Sequence, residues 1–415
     1  MTSPPVIAPA SGTETETPYA WRRLAICLLI GTIGGVGMWS PVVALPAVEA
    51  DFGLTRAGAS LPYTLAMIGV AFGGVFMGWM VDRFGLMLPA LMAAGAIGLG
   101  YVLAGTATTY WQFVLAYGLL IGTIGSATMF GPLMADVSRW FTRNRGIAVA
   151  ISASGNYLSG AIWPPVAQHF IETVGWRTTH IGIGIFCVVT MVPLALLLRR
   201  RAAAHETTAI ETGSGHALGG LGISPNTLQT LLFVSAICCC VAMSMPQVHI
   251  VAYCGELGYG VARGAEMLSL MLGLGIISRI ASGYAADRIG GLATLLIGAT
   301  LQGATLVLYA FFDGLTSLYL ISALFGLFQG GIVPSYAIIA REYFSPREAG
   351  MRVGIVIMAS LFGMALGGWM SGKVFDLTGS YAIAFVGGFG FSMLTVLISG
   401  WLLLRAHHSQ TPVPA

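Results

Sequence analysis

Twelve stretches of mostly apolar residues, each about twenty residues long, follow one another along this chain. They are centred near positions 33, 70, 97, 122, 155, 187, 242, 275, 302, 328, 361 and 392. A helix of this length crosses the hydrocarbon layer of a bilayer. Charged residues make up only 8% of the chain, whereas a soluble domain has about 25%. The sequence therefore predicts an all-α membrane protein with twelve transmembrane helices, and it lacks the short alternating segments of a transmembrane barrel.

Basic residues are distributed unevenly between the two ends of these stretches. Fourteen of the nineteen Lys and Arg residues lie at one set of alternate ends, and four, Arg56, Arg177, Arg263 and Lys373, lie at the other. The remaining one, Arg279, lies inside a stretch. Because cytoplasmic loops of membrane proteins are enriched in Lys and Arg, this distribution predicts a multi-pass inner-membrane protein with both termini in the cytoplasm.

Two polar segments divide the chain. Residues 1–20 are rich in Thr, Pro, Ser and Glu and lack the basic start of a signal peptide, so we expect a disordered cytoplasmic tail. Residues 202–224 change to Ala, His, Glu, Thr, Gly and Ser, which is typical of a flexible linker. We therefore expect six-helix bundles at residues 21–201 and 225–405, with a second cytoplasmic tail at 406–415.

One motif occurs in both halves. The segment Gly78-Trp-Met-Val-Asp82-Arg83-Phe-Gly85 matches Gly283-Tyr-Ala-Ala-Asp287-Arg288-Ile-Gly290. Two related halves imply a pseudo-twofold axis along the membrane normal. With this doubled turn the chain resembles the major facilitator superfamily, where the turn braces the two halves at a cytoplasmic gate. The gate residues that this resemblance predicts are Asp82, Arg83, Arg139, Arg145, Asp287 and Arg288.

A narrower resemblance lies in the fifth and eighth stretches. The basic segment Arg139-Trp-Phe-Thr-Arg-Asn-Arg145-Gly146 leads into the small-residue run Ala153-Ser-Gly-Asn-Tyr-Leu-Ser-Gly160. Together with Arg279, this resembles the monocarboxylate transporter and oxalate/formate exchanger branch, in which the corresponding arginine receives the substrate carboxylate. The resemblance implies a secondary active transporter of a small lactate- or pyruvate-like monocarboxylate. We expect alternating access, with proton symport as the first coupling mode.

Physical chemistry also singles out Arg279. A charged side chain at the centre of a membrane helix costs roughly 2.5–3.5 kcal/mol on insertion scales, so it normally faces a wet cavity or an opposite charge. A guanidinium group matches a carboxylate through two parallel hydrogen bonds. Neither Ser40-Pro41 nor residues 355–362 hold the second intramembrane cation of related carriers, and Gly275 stands where the animal carriers have an aspartate. A single deep positive charge favours a monoanion over a dianion.

Several other residues of the spans are predicted substrate contacts. Asn156 either faces a polar cavity or bonds across helices. Gln329 precedes Gly330-Gly331, which makes the tenth stretch breakable, but it can equally serve packing. In the fifth stretch, Trp163-Pro164-Pro165 is expected to end the ordered helix, because proline lacks a backbone donor. The predicted contacts are Asn156, Gln329, Phe130, Trp39 and His249, although aromatic residues such as Phe130 and Trp39 more often belong to the core than to a pocket.

Proton coupling has two candidate residues in the seventh stretch. His249 titrates near neutral pH, and Glu256 is positioned to exchange protons with the outside. The alternative for His249 is a neutral hydrogen bond between helices, and the alternative for Glu256 is a solvated carboxylate at the rim. Anion exchange is the second transport mode, and a carboxylate sensor that does not transport is the second class of function.

Chemistry of other kinds finds no support in the sequence. The six cysteines lie within or at the ends of apolar stretches, without the spacing of a metal or redox motif. No nucleophile and base occur together in the spans. We therefore expect no enzyme activity, metal site, cofactor or nucleic-acid partner. The expected partners are a small organic monoanion, a proton and the lipid bilayer, with a monomer as the functional unit.

Overall fold

The long helices account for nearly all of the chain that the computed structural model describes, and every regular element in this part is a helix. The described residues are 16–141, 143–200 and 221–408. We number the long helices in chain order. They are α1 (Pro18–Phe52), α2 (Arg56–Phe84), α3 (Met87–Thr106), α4 (Tyr110–Val137), α5 (Arg145–Val174), α6 (Trp176–Leu196), α7 (Pro225–Glu256), α8 (Val261–Ile289), α9 (Gly291–Phe311), α10 (Leu315–Tyr343), α11 (Pro346–Thr378) and α12 (Tyr381–His408).

The predicted tails and linker fall largely outside the described residues. Within the described part, α1 already begins at Pro18 and α12 continues to His408, so both helices extend into the segments predicted as tails. Helix α7 begins at Pro225, where the second bundle is expected. We refer to α1–α6 as the N-terminal half and to α7–α12 as the C-terminal half.

Eleven of these twelve helices are long and apolar enough to cross a membrane. The other one is α5, which has 30 residues but includes Ser152, Ser154, Asn156 and Ser159. These polar side chains lower its mean hydropathy. The predicted all-α membrane fold is confirmed, while a membrane span at α5, and with it the count of twelve, stays a prediction.

The helices run back and forth between two ends of the bundle. We call the end with the start of α1 and the end of α12 the terminal face, and the opposite end the distal face. The doubled Asp-Arg turn lies at the terminal face, where α2 and α8 end. By the charge distribution of the sequence, the terminal face is the one expected in the cytoplasm.

Helix α1 is interrupted at Gly35 and α2 at Ser60, and α10 and α4 contain longer irregular segments. Helix α10 consists of Leu315–Gln329 and Ile332–Tyr343, separated by the glycine pair that predicts a break. Helix α4 winds more widely over Ala116–Ser126, as a π-helix, and resumes as Gly131–Val137. Wide turns of this kind often mark functional sites in helices. Phe130 stands at this restart and projects from a non-helical backbone.

The predicted end of α5 at its paired prolines is wrong, because the helix continues to Val174. Pro165 has no N–H to donate to the carbonyl of Ala161. The hydroxyl of Ser269 on α8 donates to that carbonyl instead. A neighbouring side chain thus replaces the missing backbone hydrogen bond, which is how membrane helices tolerate proline.

A buried ion pair fixes the terminal end of the N-terminal half. Arg23 on α1 and Asp136 on α4 form two hydrogen bonds, from Nε at 2.7 Å and from Nη2 at 2.9 Å. Nη1 of the same guanidinium donates to the carbonyl of Leu198, at 3.2 Å. A buried charge is stable only with such partners, so this arginine is structural.

The two halves contact each other through α5 with α8 and through α2 with α11. On the distal side these contacts depend on glycine: a Cβ added at Gly160 or Gly275 would overlap with the other half, at Leu272 and Tyr157 respectively. The same holds for Gly372, which lies against the backbone of Ala57. Small residues let membrane helices approach this closely. The distal side of the interface is therefore closed.

The terminal side of the same four helices is open. A Cβ added at their glycines near this face would meet no atom of the described residues within 4 Å. These glycines are Gly74 and Gly78 on α2, Gly146 on α5, Gly283 on α8, and Gly350 and Gly354 on α11. A cleft thus separates the halves at the terminal face and narrows towards the distal side.

Two adjacent glycines of α2 provide a test of this packing. A Cβ at Gly73 would overlap with the Thr123 carbonyl of α4, whereas Gly74 faces open space. We expect Gly73→Ala to destabilise the protein by about 1–3 kcal/mol, because backbone must move. Gly74→Ala should be neutral or stabilising by up to about 1 kcal/mol. Thermal unfolding in detergent measures both, and equal melting temperatures would contradict the described α2–α4 contact.

Candidate functional site

Arg279 lies where the contact between α5 and α8 ends and the cleft begins. Its Nη1 donates a hydrogen bond to the carbonyl of Ala153 on α5, at 3.1 Å. The guanidinium carbon is 4.4 Å from the centre of the Tyr157 ring and 6.0 Å from that of Phe130. Nε is buried and has no hydrogen-bond partner. Among the described residues no carboxylate forms an ion pair with Arg279.

Gly275 makes this arrangement possible. One turn before Arg279 on α8, it leaves room for the Tyr157 ring, with which any side chain at this position would overlap. The face of an aromatic ring attracts a cation but carries no net charge. A ring from the other half therefore occupies the place where the animal carriers, by the resemblance, hold an aspartate. Arg279 keeps its full positive charge for a ligand.

Asn156 and Trp39 lie on the N-terminal side of this site. The side-chain oxygen of Asn156 is buried without a hydrogen-bond partner. Its backbone carbonyl accepts a hydrogen bond from Trp39 Nε1, at 3.3 Å. The Trp39 side chain is only 2% exposed, and it packs against Gly160. Trp39 therefore packs against α5 and stabilises its position, while the side-chain oxygen of Asn156 remains available as a hydrogen-bond acceptor.

The structure does not bring Gln329 to Arg279. Gln329 is fully buried within the C-terminal half, where its side-chain oxygen accepts a hydrogen bond from Gln247 Nε2 on α7, at 2.7 Å. The second polar atom of each amide is buried without a partner. This geometry favours the packing alternative for Gln329, with two unused polar atoms in the pair.

His249 is also fully buried and away from the guanidinium contacts. Its Nε2 lies 2.7 Å from the carbonyl of Gly368 on α11, and its Nδ1 lies 3.1 Å from the hydroxyl of Tyr381 on α12. Because a carbonyl only accepts, Nε2 carries the proton and Nδ1 accepts from the tyrosine. A neutral imidazole satisfies both bonds, which favours the interhelical alternative for this residue.

Arg56 connects three helices at the distal face, and we call this cluster the distal clamp. Its guanidinium pairs with Glu49 of α1, at 3.2 Å, and more closely with Glu256 of α7. Asp376 of α11 accepts hydrogen bonds from the backbone N–H groups of Arg56 and Ala57, at 2.8 and 2.9 Å. Arg56 is 7% exposed, whereas the Glu256 side chain is 46% exposed. The clamp joins both halves across the closed side of the cleft.

The predicted gate residues do not connect the halves in this conformation. Arg139 pairs with Asp82 inside the N-terminal half. Arg145 donates to Ser138, at 3.4 Å, and Arg288 donates to Tyr284 of its own helix. The Arg83 guanidinium lies over the rings of Trp79 and Phe84, and Asp287 has no ion pair in the described part of the chain. Their role as a gate stays a prediction for a state in which this face closes.

A series of linked hydrogen bonds inside the N-terminal half is not predicted by the sequence. Ser40 on α1 lies 2.5 Å from the Tyr101 hydroxyl and 3.0 Å from that of Tyr117. Tyr117 in turn contacts His180 Nε2 at 2.7 Å, and His180 Nδ1 donates to the carbonyl of Trp176, at 2.7 Å. This series joins α1, α3, α4 and α6 next to Trp39. Buried polar networks that are fully satisfied rigidify a core.

These observations define a class of protein: a helical membrane protein whose halves enclose a central cleft, at the inner end of which Arg279 forms no ion pair with any described residue. Comparison with known proteins identifies the family. The family model of the Major Facilitator Superfamily matches residues 27–319 and 267–415. The chain belongs to this superfamily of membrane transporters.

Individual relatives narrow the similarity. Monocarboxylate transporter 13 of Bos taurus is 29% identical over 328 residues, which cover 78% of this chain and 75% of that protein. The Fujikurins efflux protein of Gibberella fujikuroi is 27% identical over 327 residues, covering 73% and 67%. A bacterial homologue of the human lysosomal transporter Spinster, solved in an inward-facing and unoccupied conformation, has a TM-score of 0.68 at 15% identity, covering 96% and 100%. The resemblance to the monocarboxylate transporter branch is confirmed.

The distal clamp can be tested with a cysteine reporter. Thr64 on α2 contacts the Ala365 carbonyl inside the distal interface, at 3.3 Å, and the six native cysteines are buried. We expect Arg56→Ala to increase the rate of maleimide labelling at Thr64→Cys about tenfold. A loss of about 1.4 kcal/mol from the free energy that keeps the distal side closed raises the population of its open state about tenfold.

Arg263→Ala is the matched control, since Arg263 at the same face pairs only with Glu266 of its own helix. The Arg263→Ala variant of Thr64→Cys should be labelled at the same rate as the protein that carries Thr64→Cys alone. The signal from protein without Thr64→Cys is subtracted in each case. Unchanged labelling of the Arg56 variant would contradict a clamp that holds the halves together.

Proposed function

We propose that this protein is a secondary active transporter of a small organic monocarboxylate, such as a lactate- or pyruvate-like acid, that works by alternating access. The observation that carries the proposal is the Arg279 guanidinium at the inner end of the cleft, without a carboxylate partner among the described residues. A charged group in a membrane interior needs a partner. We infer that the substrate carboxylate is that partner.

The surroundings of Arg279 support a small and partly apolar substrate. Tyr157 and Phe130 place ring carbons beside the guanidinium, so an apolar substituent finds a matching wall. The free side-chain oxygen of Asn156 is an acceptor suited to a substrate hydroxyl. A substrate with a second carboxylate would bring one charge more than the site can neutralise. The geometry thus favours monoanions.

The conformation supports alternating access. The distal clamp closes one side of the cleft, while the terminal side is open. Substrate reaches or leaves Arg279 from the terminal face in this state. In the opposite state the clamp separates, and the predicted gate residues at the Asp-Arg turns come together. We propose that the terminal face is cytoplasmic and that the membrane is the inner (plasma) membrane.

We propose proton symport as the coupling mode, because one proton per monoanion gives electroneutral transport. The candidate groups remain Glu256 and His249. Glu256 has the better access, since its carboxylate is part-exposed at the distal face and a proton there would weaken its pairing with Arg56. His249 would have to break its bond to Gly368 or Tyr381. Anion exchange is the second candidate mode, because a guanidinium without an ion pair among the described residues also suits alternating loading of two anions.

Substitution of Arg279 tests the carboxylate site. We expect Arg279→Ala to lower uptake of labelled lactate or pyruvate into proteoliposomes at least about 30-fold, because removal of one partner from a buried charge pair costs 2–5 kcal/mol. Arg279→Lys should also fail to restore full uptake, since an ammonium group lacks the planar fork.

Arg263→Ala controls for expression and general charge in this experiment. A separate measurement of substrate binding would distinguish a sensor from a transporter, because a sensor binds the substrate but shows no counterflow uptake. Wild-type rates with Arg279→Ala would mean that the guanidinium is structural and that the monocarboxylate proposal fails.

A second experiment separates symport from exchange. Uptake into vesicles that contain no anion, driven by an inward proton gradient, is expected if a proton accompanies the monoanion. Under symport, collapse of that gradient with a protonophore should abolish accumulation, and preloading with unlabelled lactate should not be required. Uptake that needs internal anion and ignores the gradient would replace symport with exchange while retaining the role of Arg279.

A further inference from the structure

A cavity of about 340 Å³ opens at the distal face of the C-terminal half, between the ends of α7, α9, α11 and α12. Aromatic rings form much of its wall, and two carboxylates, Glu256 and Asp313, lie at its edge. No Lys or Arg lines it. The aromatic residues are Tyr253, Phe311, Phe375 and Tyr381.

Two polar groups of this cavity lack partners in the described part of the chain. Asp313 forms no ion pair, and it lies close enough to Tyr253 for the two to interact electrostatically. The Tyr253 side chain is only 9% exposed, and its hydroxyl forms no hydrogen bond. The hydroxyl oxygen itself is not fully buried, so it is accessible from the cavity that Tyr253 lines. Both groups are therefore available to a ligand.

We propose that this cavity binds an organic cation, such as a quaternary ammonium compound. Aromatic faces attract such a cation and accommodate its apolar substituents, and the two carboxylates supply the opposite charge. The anion that we propose for Arg279 is repelled by the same carboxylates, so the two sites have opposite selectivity. This inference goes beyond the proposed transport function and does not depend on it.

The cavity lies next to the distal clamp and has residues in common with it. Glu256 lines the cavity and also pairs with Arg56. Phe375 likewise lines the cavity, and its ring centre lies 5.0 Å from the Arg56 guanidinium carbon. A bound cation therefore competes with Arg56 for the Glu256 carboxylate, beside the Phe375 ring that Arg56 also contacts. Binding of the cation weakens the clamp, and removal of Arg56 strengthens binding of the cation.

Calorimetric titration of the purified full-length protein with choline tests the site, with 3,3-dimethylbutan-1-ol as the uncharged isostere. We expect saturable binding of choline and none of the isostere, because the charge supplies the attraction. Asp313→Asn should weaken choline binding about three- to tenfold through loss of an opposite charge. Tyr253→Phe should weaken it less, and Arg56→Gln should strengthen it severalfold.

Glu172→Gln is the matched control, because Glu172 is an exposed carboxylate at the distal end of α5, outside the cavity. Titrations at constant ionic strength exclude a general salt effect, and thermal unfolding verifies that each variant is folded. Equal binding of choline and its isostere, or unchanged affinity of a folded Asp313→Asn, would overturn the proposed site. Weaker binding by Arg56→Gln would overturn its competition with the clamp.

Discussion

The close approach of α5 and α8 is the contact on which the rest of this structure depends. Along their distal portions the two antiparallel helices, one from each half, approach closely at Gly160 and Gly275. Ser269 satisfies the carbonyl that Pro165 leaves free, and Gly275 admits the ring of Tyr157. The contact ends at Arg279, which reaches the backbone of the opposite helix. This helix pair therefore sets the depth of the cleft and places its cation, while the α2–α11 contact and the distal clamp also join the halves.

The chemistry at the two ends of this contact is different. At Arg279 the guanidinium contacts an aromatic ring and one carbonyl, so a carboxylate ligand competes with no ion pair from the described residues. At the distal clamp, by contrast, one guanidinium meets Glu49 and Glu256, and Asp376 binds the backbone beside it. Arg56 is nearly buried, so these attractions are screened less than those of surface pairs. Arg56 is paired with two carboxylates and joins the halves, whereas Arg279 has no carboxylate partner among the described residues.

Sequence alone predicts the helices and the exceptional position of Arg279, because both follow from local composition and from the energetics of charge in lipid. It fails for contacts between distant segments. Arg56 and Glu256 are 200 positions apart, so nothing in the sequence pairs them, and Glu256 is predicted there to exchange protons or to be a solvated rim carboxylate. The helix through Pro164 and Pro165 likewise depends on a hydroxyl from α8. Tyr157 beneath Arg279 becomes meaningful only when Gly275 is seen to face it.

The aromatic partner of Arg279 also has an electrical consequence. A carboxylate partner would make the empty site neutral, whereas a ring leaves it with one positive charge, which a bound monoanion then cancels. The empty and anion-loaded forms of the site thus differ by one unit of charge. A unit charge that crosses the whole membrane field gains or loses about 2.3 kcal/mol per 100 mV. Membrane voltage therefore acts differently on the reorientation of the empty site and of the anion-loaded site. If the site crosses only part of the membrane field, this difference in energy is smaller in proportion.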